Sequence, residues 1–355
     1  MEQMKTFTSI QPDRLQALID AFARARIAVV GDFFLDKYLD VDPAVAESSV
    51  ETGKTAHQVA AVRHCPGAAG TVVANLAALG AGALTAIGLT GDDGEAYELR
   101  RGLDALRCDT EHLHCDPGRM TPTYLKPRDI DTPDLTGEHS RYDTKNRTPS
   151  CDATQRRIVR SLDAVLGRVD AVIVADQVEQ QDCGVVTRSV REALADRARR
   201  HGEVTFWADS RRRIRQFRNV IIKPNQFEAV GRDNPPPGDE VGLARLCEAL
   251  LQLRVVIGAP ICATRGDKGM IVTDPEMTLV PAVRVAGPID PTGAGDSATA
   301  AVVLALACGA TLPEAAAVGN LAASITVEQL ATTGTARGDQ LPERLDLWRQ
   351  QHAAG

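Results

Sequence analysis

Short apolar, β-rich runs alternate with helix-length stretches along most of this chain, and no other feature restricts its fold as strongly. Strand-like runs fall at 27–31, 84–88, 171–175, 204–208, 220–222, 255–262 and 270–273. Between them, apolar spacing predicts helices at 12–25, 68–79, 93–106, 152–167, 184–201 and 240–253. Strand, helix, strand repeated in this way predicts a mostly parallel sheet with helices on both faces. The 355 residues suffice for one large core, so residues 1–355 are expected to form a single domain. Two segments break the rhythm, 38–64 and 110–147. Both are polar and alternating, and they predict short antiparallel strands forming a small lid at the sheet's edge. The Pro-rich 233–240 stretch reads as a rigid surface connection.

Lys and Arg number 40 against 47 Asp and Glu, and only 4% of residues are aromatic. A nucleic-acid binder would want a basic stripe with stacking aromatics, so that class is excluded. No secretory h-region is read at the N-terminus, and the apolar run 298–310 is far short of the ~20 residues that span a membrane. None of the eight cysteines forms a C-x-x-C pair. The expectation is reduced thiols, no membrane partner and a cytoplasmic address.

The chemistry concentrates in DPTGAGD, 290–296, which runs directly into SATAAVVLALA. Small residues at Gly293, Ala294 and Gly295 let a ligand approach the backbone, and the first N–H groups of the following helix favour an anion. Asp296 at that junction has two readings. It caps the helix, as Asp often does, or it takes a proton from a hydroxyl attacking a bound phosphate. Neither a G-x-x-x-x-G-K-[ST] loop nor a strand-borne G-x-G-x-x-G occurs, so any nucleotide phosphates must be held by the 293–295 turn. Elsewhere, CDTEHLHCD at 108–116 reads as metal-free lid strands rather than a zinc site, because Cys115 would face away from His112 and His114. The basic run 210–218 reads as a solvated surface, with Arg211 the member placed to face a substrate phosphate.

Six segments in order resemble the PfkB (ribokinase-like) carbohydrate kinases: VVGDFFLDKYL, CPGAAGTVVANLAALGA, KPNQFEAV, ATRGDKGM, DPTGAGD and GNLAASITVEQLATTGT. The resemblance implies a three-layer α/β/α sandwich with a small β lid. It also implies ATP-dependent phosphorylation of a sugar or sugar-phosphate hydroxyl. Asp296 would then be the base, and Gly293, Ala294 and Gly295 the anion hole. Asp32, Asp36, Gly67, Ala68 and Thr71 would contact the sugar. Asn225 and Glu228 would organise Mg²⁺ through water, although their spacing equally suits a capping box. Thr264, Gly266 and Asn320 would flank the nucleotide. Asp290 and Thr292 would offer oxygens to K⁺.

Within the family, TPTYLKPR at 121–128 and RYD at 141–143 are similar to the kinase half of the bifunctional ADP-heptose synthases, which adds Lys126 and Arg141 to the sugar side. No H-x-G-H segment is present, so only the kinase half is expected. Three departures touch the sugar pocket. Ala68 replaces the second glycine of a Gly-Gly pair, Thr71 stands where an Asn is common, and 175–184 has no Lys. They admit two alternatives, a non-catalytic relative that kept the fold and a nucleoside kinase. A homodimer through exposed lid strands is a further expectation.

Overall fold

The computed structural model describes residues 4–132, 135–236, 238–330 and 332–352. Residues 133–134 of the 110–147 segment, 237 of the 233–240 loop, 331 of the 319–335 run and the ends of the 1–355 span lie outside the described residues.

The chain runs β1 (Lys5–Thr6), α1 (Pro12–Phe22), β2 (Arg26–Gly31), β3 (Phe33–Ser48), β4 (Thr55–Ala68), α2 (Ala69–Leu79), β5 (Ala83–Thr90) and α3 (Gly94–Ala105). It continues through β6 (Cys108–Asp109), β7 (Leu113–Cys115), β8 (Thr123–Asp129), β9 (Tyr142–Thr144), α4 (Asp152–Val165), β10 (Ala171–Asp176), α5 (Arg188–Arg200), β11 (Thr205–Ser210) and β12 (Ile221–Ile222). The last third holds α6 (Gln226–Ala229), α7 (Leu243–Ile257), β13 (Cys262–Thr264), β14 (Met270–Val272), β15 (Thr278–Val280), α8 (Ala294–Ala307), α9 (Leu312–Thr326) and α10 (Leu341–His352).

The central sheet has the order β12-β11-β10-β2-β5-β6, with β7 also on β5, and every pairing in it is parallel. Side chains alternate across a strand, and here both sets are apolar. Ile27, Val29, Ile173 and Trp207 pack to one side with α1, α2, α8 and α9. Ala28, Val30, Val172, Val174 and Phe206 pack to the other with α4, α5 and α7. The result is the ribokinase-like three-layer α/β/α sandwich. α8 can run through the core because Ser297 to Ala305 are all buried and nearly all small. Among the described residues no helix is long and apolar enough to cross a membrane.

A smaller sheet, β4-β3-β8-β9, stands off the main one. Its β3–β4 and β8–β9 pairings are antiparallel, but its strands are not all short. β3 and β4 form a ribbon of 16 and 14 residues, and β8 joins β3 in parallel. Register shifts beyond Asp40 and Asp42 let the ribbon bend. Leu113–Cys115 belongs to the main sheet through β5, so that part of 110–147 is not lid. A third sheet, β1-β15-β14-β13, is linked to the first by the parallel bridges Ile222–Ile261 and Asn225–Thr264.

The strand expected at 255–262 is wrong. Leu246, Leu250, Leu253 and Ile257 are buried at helical spacing, so packing outweighs the β preference of Val255 and Val256. The helix stops only at Gly258, whose φ of 74° is left-handed.

Because the central strands are parallel, their C-terminal ends open on one side of the molecule, where open α/β sheets bind ligands. Asp32, Asp176, Asp209 and Lys223 all lie at those ends.

Candidate active site

The first turn of α8 supplies the anchor. Gly293 is its N-cap, at φ 79°, and no side chain caps the helix. Asp296 is therefore inside the turn and is not the cap. The N–H of Ala294 is turned to the Pro291 carbonyl at 3.2 Å, while those of Gly295 and Asp296 have no partner within the helix. A side chain at Gly293 would meet Thr333 Cγ2 at 3.1 Å and Thr71 Cγ2 at 3.8 Å, which places Thr71 of α2 beside the turn.

The same turn meets a lysine that sequence reasoning missed. A Cβ on Gly295 would lie 3.6 Å from Lys223 Nζ, and Lys223 pairs with Asp209 Oδ2 at 2.8 Å. Burial alone would pull Lys223 down. Asp209, Glu228 and Asp296 outweigh it and hold the ammonium above its ordinary value. Burial pushes Asp296 up to about 7, helped by Asp209 and opposed by Lys223. Burial pushes Glu228 up to about 7 as well, again with Asp209 adding to it. The available signal for Asp209 and Lys223 was their position at the ends of two neighbouring parallel strands.

Asn225 and Glu228 do form the capping box. Asn225 Oδ1 accepts from the N–H groups of Phe227 and Glu228, and Glu228 Oε2 accepts from Asn225 N–H at 2.7 Å. Thr264 and Gly266 line a cleft of about 350 Å³ with Asn225 and Phe227. Asn320 is not on that cleft's lining. Its amide donates to the carbonyls of Val280 and Pro281, pinning the exit of β15. Asp290 is buried and accepts the Thr292 N–H at 2.9 Å. Among the described residues no three His, Cys, Asp or Glu side chains could hold a metal ion between them. His114 instead bonds Ser161 Oγ at 2.7 Å.

On the lid side, Asp36 is 6% exposed. Its Oδ2 receives Lys126 Nζ at 3.1 Å, while its Oδ1 is buried with no partner among the described residues. Gly67 leaves that oxygen open, since a Cβ there would sit 2.8 Å from it. Lys126 also reaches Tyr38 Oη at 3.4 Å. Arg141 stacks on Tyr124 at 4.4 Å and pairs with Asp143, and Lys145 lies 5.7 Å from the same ring. Lid strands thus bring three cations together that the 175–184 run does not supply.

Asp32 is spent on the backbone. Its Oδ2 accepts the N–H groups of Gln177 and Val178, and Oδ1 accepts that of Val185. The carboxylate holds the loop after β10 and is 3% exposed. Nor is the basic run 210–218 simply solvated. Arg211 is exposed near Glu179, but Arg213 turns inward to Asp176 at 2.6 Å.

Ala68 joins β4 to α2 at φ 53°, ψ −114°, where a Cβ is strained. Ala68→Gly should raise unfolding stability by about 1 kcal/mol in urea titration. An unchanged or lower midpoint would mean that the strand–helix junction absorbs the methyl without strain.

The sequence model described as "pfkB family carbohydrate kinase" matches residues 24–337. The chain is 31% identical over 328 residues to the bifunctional protein HldE of Caulobacter vibrioides, covering 90% of this chain and 63% of that one. It is 32% identical over 341 residues to HldE of Desulfatibacillum aliphaticivorans, covering 94% and 65%. The chain therefore spans less than two thirds of these curated relatives. Among solved structures it is similar to Arabidopsis thaliana ribokinase complexed with ribose and ATP, with TM-score 0.64 and 18% identity, covering 90% of this chain and 98% of that one. It is also similar to Escherichia coli phosphofructokinase-2 in complex with potassium, with TM-score 0.67 and 17% identity, covering 91% and 99%.

Proposed function

The chain belongs to the pfkB family of carbohydrate kinases, and on that footing we propose that it transfers the γ-phosphoryl group of ATP to a hydroxyl of a phosphorylated sugar. The observation that carries the reading is the junction of Asp296 with the open first turn of α8, facing Lys223. In this mechanism the acceptor lies under the lid, and the unpartnered Oδ1 of Asp36 takes one of its hydroxyl protons as a hydrogen bond. Asp296 removes the proton of the attacking hydroxyl. The new O–P bond forms as the bond from the γ-phosphorus to the bridging oxygen breaks, and ADP departs. The N–H groups of Gly295 and Asp296, with Lys223, stabilise charge on the transferring group. Closure of the β3–β4 ribbon keeps water from competing.

Burial and Asp209 push Glu228 and Asp296 up to about 7, and a divalent cation brought in with the phosphates would favour their ionised forms. Mg²⁺ keeps much of its water shell, so Asn225 and Glu228 would hold it at second hand and it would neutralise phosphate charge. K⁺ would take oxygens from Asp290 and Thr292.

Lys126, Arg141 and Lys145 around Tyr124 favour an acceptor that already carries a phosphate. The resemblance of residues 121–128 and 141–143 to the kinase half of the ADP-heptose synthases favours a heptose phosphate. Exposed Val59 and Val62 on β4 suit pairing of two copies through the lid.

The test is ADP release with Mg-ATP against free sugars, sugar phosphates, heptose phosphates and nucleosides. Stimulation by sugar phosphates, at least tenfold over the free sugars, is the expected result. Preference for a nucleoside would overturn the acceptor class. Binding of ATP without turnover on any acceptor would favour a non-catalytic relative.

A further inference from the structure

The basic run that the sugar site leaves unused forms one wall of a separate cleft of about 860 Å³ between α5 and residues 211–218. Arg188 and Arg191 come from α5, and Arg212, Arg213, Arg215 and Arg218 from the turn after β11. The acids on its lining are Glu179, Glu192 and Asp233. A chain of net charge −7 thus gathers a local excess of positive charge in one concave place.

Surface arginines alone would mean little, but these are not all satisfied. Arg191 is 7% exposed, and among the described residues its guanidinium donates to neutral acceptors alone, the Val186 carbonyl and Gln216 Oε1. Asp176, Asp182 and Glu192 act on it without an ion pair, and burial still holds it below its ordinary value, so an anion in the cleft would relieve it. Arg218 donates only to the carbonyls of Arg215 and Phe217. Arg215 has no ion pair among the described residues. Its guanidinium sits over Gly231, where a Cβ would fall 2.2 Å from Nη1 and where φ is 71°.

We propose that this cleft is a second ligand site, which binds a small molecule through its phosphate groups. Planar guanidinium forks match phosphate oxygens in pairs, and arginine is favoured over lysine for that geometry. Among the described residues no aromatic side chain lines the cleft, so the recognition is of the phosphates and not of a base. The site is distinct from that of the transferred phosphate but adjoins the acceptor. Glu179 and Gln180 line the cleft and also a small pocket with Phe34, Tyr124 and Lys145. Arg213 donates to the carbonyls of Val178 and Glu179 from the cleft side.

The experiment titrates inorganic phosphate and pyrophosphate into the full chain by calorimetry at fixed ionic strength. It is repeated with Asp296→Asn, and with Arg215→Ala/Arg218→Ala, whose side chains are exposed and outside the proposed transfer site. The expected result is saturable binding to the wild type and to Asp296→Asn, weakened at least tenfold in the double variant. The double variant should keep its thermal midpoint and its ATP affinity. Equal binding by the wild type and the double variant would overturn the proposal, as would heats that never saturate. These outcomes do not depend on whether the chain turns over any sugar.

Discussion

Replacing Asp296 with asparagine lowers kcat by about 10²–10⁴-fold and leaves ATP binding intact. The substitution preserves size, and Gly293 rather than residue 296 caps α8, so the helix loses no cap. What disappears is the proton acceptor. The wild-type carboxyl is pushed up to about 7 by burial, then by Asp209, against the pull of Lys223. A base must be ionised to act, so kcat/KM should rise with pH through about 7 and level off above it. Glu228 is also pushed up to about 7, so Glu228→Gln is the control that separates the two groups. The rising limb should survive in Glu228→Gln and vanish from the residual activity of Asp296→Asn. A variant that keeps wild-type kcat, or a limb unchanged in both variants, would remove Asp296 from proton transfer.

Asp296 was legible in the sequence because its chemistry is local. A glycine turn, a carboxylate and an Ala-rich helix lie within a dozen residues, and the chain need only coil to bring them together. Lys223 and Asp209 were not legible in that way. They stand 14 positions apart and meet because β11 and β12 are neighbours in register, with Ala208 opposite Ile222. Pairing of strands is a tertiary fact, and only the tendency of parallel sheets to bind ligands at their C-terminal ends pointed to it.

Direction was harder to read than location. Asp32 and Asp36 are four residues apart and both lie near the sheet's ligand side. Asp32 turns to the loop after β10, while Asp36 faces Gly67 and Lys126. Asn320 was expected beside the nucleotide, yet its amide is consumed by the Val280 and Pro281 carbonyls. A polar residue at a motif position announces a hydrogen bond, but packing chooses the partner. The same holds for the run from Arg211 to Arg213. Composition marks all three as surface residues, yet the turn that buries Ile214 and Phe217 takes Arg213 inside with them.

That inward arginine supports the largest expected loss of stability. Arg213→Met keeps the side chain's length but removes the guanidinium from Asp176. Asp176 is 1% exposed and is held by Arg213 Nη2 at 2.6 Å, Nε at 3.1 Å and Ser210 Oγ at 2.6 Å. Breaking a buried pair from one side costs about 3–5 kcal/mol, because the other charge stays buried without compensation. The bonds from Arg213 to the Val178 and Glu179 carbonyls are lost with it, so the loop that Asp32 also holds should loosen. Burial already pushes Asp176 up to about 6, with Arg213 holding it down and Asp32 adding to the rise. Without the guanidinium the carboxyl should titrate higher still. A buried acid with a raised folded pKa favours the fold below its unfolded pKa and loses that contribution as pH rises through the folded value. The gap in unfolding free energy between the wild type and Arg213→Met should therefore be widest at pH 8 and shrink toward pH 5, where Asp176 can take a proton. Urea unfolding at the two pH values measures it, with the exposed Arg211→Met as a control expected to shift by less than about 0.5 kcal/mol. A gap that stays constant with pH would show that the guanidinium acts there through packing and not through charge.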